Sequence, residues 1–236
     1  MGSMEPLRRP PIAFAHRGAR AHAPDNTLES FALGLRLGAT GLESDVWITV
    51  DGVPVLDHDG LVGRGWRRRP IGETARASLP PSIPTLEDLY ATCGTHFELS
   101  LDVKDPAAAI PALAVARAAG DGTSGRLWLC HDRWQQLAEW RPLAAEVHLV
   151  ESTRLRRMKE GPERRAATLA AQGIDAVNLH ATDWTAGLTT LFHRFQRLCF
   201  AWDAQFERVL VGLLAMGVDG VFSDHVDRMV DALGHH

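Results

Sequence analysis

Glu43 and Asp45 stand two residues apart in Gly41-Leu42-Glu43-Ser44-Asp45-Val46, and Asp102 and Lys104 repeat the spacing in Leu101-Asp102-Val103-Lys104. Side chains alternate in an extended chain, so each pair faces one way. Carboxylates gathered at one place repel unless a cation or a proton lies between them. An all-oxygen set suits a hard divalent ion such as Mg2+ or Ca2+, and a salt-bridged or solvated rim is the other reading of the same spacing. His16 and His58 each finish an apolar approach, Phe14-Ala15-His16 and Val55-Leu56-Asp57-His58. Imidazoles titrate near neutral pH, so two of them flanking one reactive centre can divide the work, one taking a proton and the other giving one. A lone histidine is more often a core or rim residue.

Such residues need a frame. The chain has 236 residues, 45% hydrophobic and 23% charged, enough to bury a sizeable core. Segments rich in β-branched, aromatic and Leu residues fall at 11–15, 41–49, 97–103, 126–130, 146–150, 176–179, 198–201 and 220–222, with segments of helical period after each. Eight units of about 30 residues predict an α/β fold, a (β/α)8 TIM barrel, with a doubly wound open sheet as the alternative. No composition break divides the chain, so a single domain over 11–234 is expected, with no separate insertion domain. Residues 1–10 read as an N-terminal extension, and both extreme ends as cloning remnants.

A net charge of −4 gives no electrostatic footprint for a nucleic-acid backbone. Cys93, Cys130 and Cys199 lack any metal-ligand or disulfide spacing and read as buried free thiols. Without a signal-peptide core, a membrane span or a lipid-anchoring Cys near the start, the expectation is a cytoplasmic protein with no stable membrane anchor. Nothing in the sequence speaks to oligomeric state.

In barrels of this kind chemistry sits at the carboxyl ends of the strands. In chain order the polar residues there are His16 and Arg17, Glu43 and Asp45, His58 and Asp59, Asp102 and Lys104, His131 and Asp132, Glu151, Asn178 and His180, Trp202 and Asp203, and Asp224. Asn26 is placed to cap the first helix or to reach the site with its amide. Residues 59–84, with Arg64, Arg67, Arg68, Arg69 and four prolines, read as a long loop narrowing an open mouth.

Taken in order, Ala15-His16-Arg17-Gly18, Ala23-Pro24-Asp25-Asn26-Thr27, Gly41-Leu42-Glu43-Ser44-Asp45, Asp51-Gly52-Val53-Pro54-Val55, His58-Asp59, Ile83-Pro84-Thr85-Leu86-Glu87, Leu101-Asp102-Val103-Lys104, Trp202 and Gly217-Val218-Asp219-Gly220-Val221-Phe222-Ser223-Asp224 resemble the glycerophosphodiester phosphodiesterase family over nearly the whole chain. The resemblance implies a TIM barrel that uses a divalent ion to hydrolyse glycerophosphodiesters to an alcohol and glycerol phosphate. It carries the metal-ligand role onto Glu43, Asp45 and Asp102, and the acid–base pair onto His16 and His58. Substrate binding falls to Arg17, Lys104 and Trp202. In such a mechanism a neighbouring hydroxyl of the substrate attacks phosphorus and water opens the resulting cyclic phosphate.

A guanidinium at position 17 can grip two phosphate oxygens, whereas Lys104, one of only two lysines among 25 basic residues, supplies a point charge. Asp102 stands where the family usually carries Glu, Asp25 replaces another Glu, and the segments after Trp202 and Ser223 also depart from the family pattern, which touches metal and substrate preference. Two further readings accompany the leading one. A lysophospholipase-D-like activity would need an apolar groove, for which Trp66, Trp184 and Phe206 are the candidates, and a catalytically silent phosphate-ligand binder could keep the barrel.

Overall fold

The computed structural model describes residues 5–63, 65, 68–120 and 122–234. The chain runs β1 (Ile12–His16), α1 (Leu28–Arg36), β2 (Gly41–Ile48), β3 (Pro54–Leu56), β4 (Leu61–Val62), β5 (Arg69–Pro70), α2 (Leu86–Cys93), β6 (Glu98–Val103), α3 (Ala109–Ala119), β7 (Leu127–His131), α4 (Trp134–Trp140), β8 (His148–Thr153), α5 (Pro162–Ala171), β9 (Ala176–His180), α6 (Ala186–Arg194), β10 (Leu198–Trp202), α7 (Glu207–Ala215), β11 (Gly220–Ser223) and α8 (Val226–Gly234). Eight strands are parallel in the order β1-β11-β10-β9-β8-β7-β6-β2, and β1 also pairs with β2, so the sheet closes. This is the expected TIM barrel rather than an open sheet.

Period-2 alternation builds both layers. Odd-numbered Ala13 and Ala15, and Leu127 and Leu129, pack outward with helix residues such as Phe31, Leu113 and Leu137. Their neighbours Ile12, Phe14, Trp128, Cys130, Val150, Ala176, Phe200 and Phe222 fill the barrel interior. Phe14 stacks on Phe222 with centroids 4.4 Å apart and meets Phe200 edge-on at 5.6 Å, contacts worth about 0.5–1.5 kcal/mol each beyond burial. Gly41 and Gly220 leave room for this plug: a Cβ at Gly41 would lie 2.6 Å from a Phe14 ring carbon, and one at Gly220 2.9 Å from Phe200. At the floor, Trp128 Nε1 donates to Glu98 at 2.7 Å, and Arg8 donates to the same carboxylate at 2.6 Å.

The same parity continued toward the carboxyl ends turns polar. Glu43 and Asp45 follow Gly41 inward on β2, and Ser100 and Asp102 on β6 with Lys104 just past its end, while Leu42, Val46, Leu99 and Leu101 join the outer core. The apolar floor therefore supports a polar mouth.

Residues 59–84 are more structured than a loop. β3 pairs antiparallel with β2, matching Val46 with Leu56 and Ile48 with Pro54. β4 and β5 form a two-stranded hairpin, followed by short 3-10 turns at Ile71–Glu73 and Arg76–Ser78. Val55, Val62, Ile71, Leu79 and Ile83 make a small satellite core against Trp47 and Val53. Arg64, Trp66 and Arg67 lie outside the described residues. A strand boundary shifts too: β8 runs from His148 to Thr153, past the expected 146–150, and takes in Glu151. Thr27, not Asn26, caps α1, its side chain accepting from Ser30 N at 3.2 Å. All three cysteines are free, Cys130 and Cys199 buried but Cys93 only half-buried.

Candidate active site

A cavity of about 450 Å³ opens at the carboxyl end of the barrel, its wall including His16, Arg17, Glu43, Asp45, Asp102, Lys104 and Trp202. Seven of the nine residues singled out by the sequence thus share one wall. Asn26 stands just behind it and His58 outside it.

His16 closes β1, and Asp224 follows β11, the strand hydrogen-bonded to β1 on its other side. Nδ1 of His16 lies 2.6 Å from Asp224 Oδ1. A carboxylate only accepts, so Nδ1 carries the hydrogen and Nε2 is left for chemistry, 3.8 Å from Glu43 Oε2. Burial alone would lower the imidazole's affinity for a proton, but the Glu43 charge and the Asp224 hydrogen bond outweigh it and raise its pKa. Burial likewise pushes Asp224 up, yet the hydrogen bond from His16 brings it below the ordinary carboxylate value. Arg20 reaches the other Asp224 oxygen at 3.4 Å, and the Asp224 amide donates to Gln205 at 2.9 Å.

Arg17 adopts a left-handed backbone, φ 51°, and its amide donates to Glu43 Oε2 at 3.0 Å. That conformation is unfavourable for a residue with a Cβ and marks a place where the fold imposes geometry. Gly18, φ 80°, completes the turn where a Cβ would sit 2.4 Å from Ser30 Oγ. The Arg17 side chain lies 3.3 Å from Asp45 and 3.3 Å from Asp25. Behind Asp45, Asn26 accepts from Ser44 Oγ at 2.7 Å and presents Nδ2 3.4 Å from Asp45 Oδ2. It thus contacts that carboxylate from behind the cavity wall.

Asp45 and Asp102 are register partners on adjacent strands. Lys104 Nζ lies between them, 3.0 Å from Asp45 and 2.6 Å from Asp102. Burial works against the ammonium, but the Asp102 and Asp45 charges more than compensate and raise its pKa. Burial pushes Glu43 up to about 7; His16 opposes this, while Asp45 and Asp102 add to it. Three carboxylates on two neighbouring strands form an oxygen donor set of the kind a hard divalent cation prefers, with Lys104 and Arg17 offsetting part of its charge. By this chemistry the residues fit such an ion.

His58 has a side chain 45% exposed, and its Nδ1 lies 2.9 Å from Asp59. Its backbone is held near β2 because Asp57 N donates to Asp45 O at 3.1 Å, but the ring is no part of the cavity wall. His131 and Glu151 also leave the expected set. By parity they face outward, His131 edge-on to Trp140 at 5.5 Å and Glu151 paired with Arg165. Trp202 meets His180 edge-on at 4.5 Å and carries the Arg154 guanidinium 5.6 Å from its ring centre. Among the described residues, three buried polar atoms of the wall have no hydrogen-bond partner: Arg17 Nε, which lies in the ion pair with Asp45, and Trp202 Nε1 and Asn178 Oδ1. The last two form a donor and an acceptor, the complement of a hydroxyl.

Among the described residues, the candidates Trp184 and Phe206 do not line a common apolar groove. Trp184 is 4% exposed and donates to Phe200 O at 2.9 Å within the fold, Phe206 is 67% exposed, and Trp66 lies outside the described residues. Asp224, Asn178, Ser152 and Gln205 are site residues to which the sequence assigned no role. The parity that runs Gly220, Phe222, Asp224 is the signal that finds the first.

Residues 16–228 match the model of the glycerophosphoryl diester phosphodiesterase family. A glycerophosphodiester phosphodiesterase of Bacillus altitudinis is 24% identical over 92% of this chain and 96% of its own length. A probable glycerophosphodiester phosphodiesterase 2 of Mycobacterium tuberculosis is 29% identical, covering 94% and 90%. Among solved structures, one from Silicibacter pomeroyi superposes with a TM-score of 0.83 at 23% identity, over 97% of this chain and 95% of that one. A phosphodiesterase from Oleispira antarctica, solved with sn-glycerol-3-phosphate, superposes at 0.80 with 21% identity, over 95% and 97%. With the family's model matched across the barrel, the chain belongs to the glycerophosphoryl diester phosphodiesterase family.

Proposed function

We propose that this protein hydrolyses glycerophosphodiesters such as glycerophosphocholine or glycerophosphoethanolamine to the alcohol and glycerol 3-phosphate, with a divalent ion, Mg2+ or Ca2+. The observation that carries the reading is the His16–Asp224 pair, set at 2.6 Å beside the carboxylates and cations of the mouth. Arg17 and Lys104 take phosphate oxygens, the first by its fork and the second as a point charge. Trp202 Nε1 and Asn178 Oδ1 offer a donor and an acceptor to a glycerol hydroxyl. Glu43, Asp45 and Asp102 would hold the ion, which when bound offsets charge developing on the phosphoryl oxygens.

Nε2 of His16 accepts the proton of the attacking glycerol hydroxyl as its oxygen bonds to phosphorus, and Asp224 stabilises the imidazolium. The leaving alcohol departs with a proton from the second histidine, His58, whose ring must turn from Asp59 to reach the mouth. Water then opens the cyclic phosphate with the roles reversed. A cytoplasmic location fits three free thiols, and no helix among the described residues is long and apolar enough to cross a membrane.

Release of glycerol 3-phosphate from glycerophosphocholine is the test. It is expected to stop on chelation, to return with Mg2+ or Ca2+, and to be lost in His16→Ala and in His58→Ala. Activity persisting in both variants overturns the mechanism, and binding without turnover across diesters and metals establishes a silent binder instead.

A further inference from the structure

Among the described residues, two groups bring three possible metal ligands within 4.8 Å of one another, and neither is the mouth set: His22, His225 and Asp227, and His193, Cys199 and Asp219. The second is fully occupied by the fold. Asp219 Oδ1 accepts from Arg8 N at 2.8 Å, and its Oδ2 meets Cys199 N at 2.7 Å and His193 Nε2 at 2.8 Å. Burial, together with the nearby Asp219 charge, holds the Cys199 thiol well above its ordinary pKa. That group is a hydrogen-bonded knot at the floor of the barrel.

The first group is open. His22 Nε2 has one protein contact, Asp227 at 3.2 Å, and the His22 and His225 rings stand perpendicular with centroids 6.4 Å apart. His22 and Asp227 are exposed and His225 half-buried, so solvent reaches the space between them. The backbone beneath is fixed at each position. His22 N donates to Ala19 O at 2.8 Å, the preceding Ala21 N donates to Asp224 O at 3.2 Å, His225 N donates to Ser223 Oγ at 3.2 Å, and Asp227 lies in the first turn of α8. Little ordering remains for an ion to impose, which favours binding.

We propose that His22, His225 and Asp227 form a surface site for a borderline divalent cation of the Zn2+ or Co2+ class, separate from the mouth. Two imidazoles and one carboxylate suit such ions, with the remaining coordination positions left to water, whereas the all-oxygen mouth suits Mg2+ or Ca2+. The ion ties the β1–α1 segment to the start of α8. Those two segments flank Asp224, and the first carries Arg20, which pairs with both Asp25 and Asp224. Occupancy therefore braces the rim on the side that holds His16.

The test uses the whole chain saturated with Mg2+, so that the carboxylates of the mouth face competition from a hard ion. Titration with Co2+, followed by visible absorption, and with Zn2+, followed by calorimetry, is expected to show one further equivalent. The cobalt spectrum should lack thiolate charge-transfer absorption, and the melting temperature should rise with Zn2+. The equivalent and the thermal shift should disappear in His22→Ala and His225→Ala, and also in the milder His22→Gln, with unfolding curves without Zn2+ showing that the variants fold. Binding that survives both histidine substitutions, or a thiolate band implicating Cys199, overturns the proposal.

Discussion

Replacing Asp224 by Asn tests whether the residue that follows the last strand positions His16, the proton carrier of the proposed mechanism. The amide fills the same space but removes the charge, and it can turn its NH2 toward Nδ1, which would leave the ring hydrogen on Nε2 where acceptance of a proton is required. The contact is 2.6 Å long, and both side chains are about a quarter exposed, at 26% and 23%. A hydrogen bond to a charged group contributes about 1.5–3 kcal/mol. With 1.36 kcal/mol for each factor of ten in rate, that is a fall of roughly 10- to 150-fold. The loss belongs in kcat, measured as glycerol 3-phosphate released from glycerophosphocholine at saturating divalent ion, with KM little changed, because Asp224 acts through His16. The same carboxylate helps raise the His16 pKa, so the limb of the pH profile that reports His16 should move to lower pH. A kcat within about twofold of wild type, with the limb unmoved, refutes the pairing as a positioning device.

Lys104→Met removes the ammonium from between Asp45 and Asp102; calorimetry should show Mg2+ bound on the order of tenfold tighter, while kcat falls for want of the phosphate contact. Asp183 accepts from Arg154 at 2.8 and 3.2 Å and from Leu155 N at 3.1 Å; burial pushes it up, but these donors win and hold it below its ordinary 3.8. A carboxylate depressed in this way stabilises the fold above its ordinary value and ceases to do so as pH falls through the depressed one. Urea midpoints for Asp183→Asn should therefore show a loss of about 1.5–3 kcal/mol at neutral pH, and the gap should narrow below pH 3.8. Gly41→Ala forces a Cβ to within 2.6 Å of Phe14 and should cost about 1–3 kcal/mol by overpacking, read as a lower urea midpoint.

The barrel is legible in the sequence because strand alternation and helical period are local signals, repeated eight times. Glu43, Asp45, Asp102 and Lys104 are legible for the same reason, since parity alone turns them inward. What stays hidden is set by contacts between distant segments. β4 and β5 are two residues each and carry no periodic signal. The role of Asp224 depends on β11 lying beside β1, and the exposure of His58 depends on a side chain that pairs with its neighbour Asp59. Thr27 displaces Asn26 as helix cap because Asn26, in a left-handed conformation of φ 53°, is drawn toward Ser44 and Asp45.

His16 and Asp224 lie 208 positions apart in the chain and meet only where the first strand is zipped to the last. During synthesis, the seven other barrel strands can be in place while His16 still lacks its partner. On the proposed mechanism full turnover reports completion of the ring, and a circular permutant opened on the opposite wall, between β7 and β8, would place β11, α8 and β1 in succession as one parallel crossover unit and bring the meeting of the pair forward in folding.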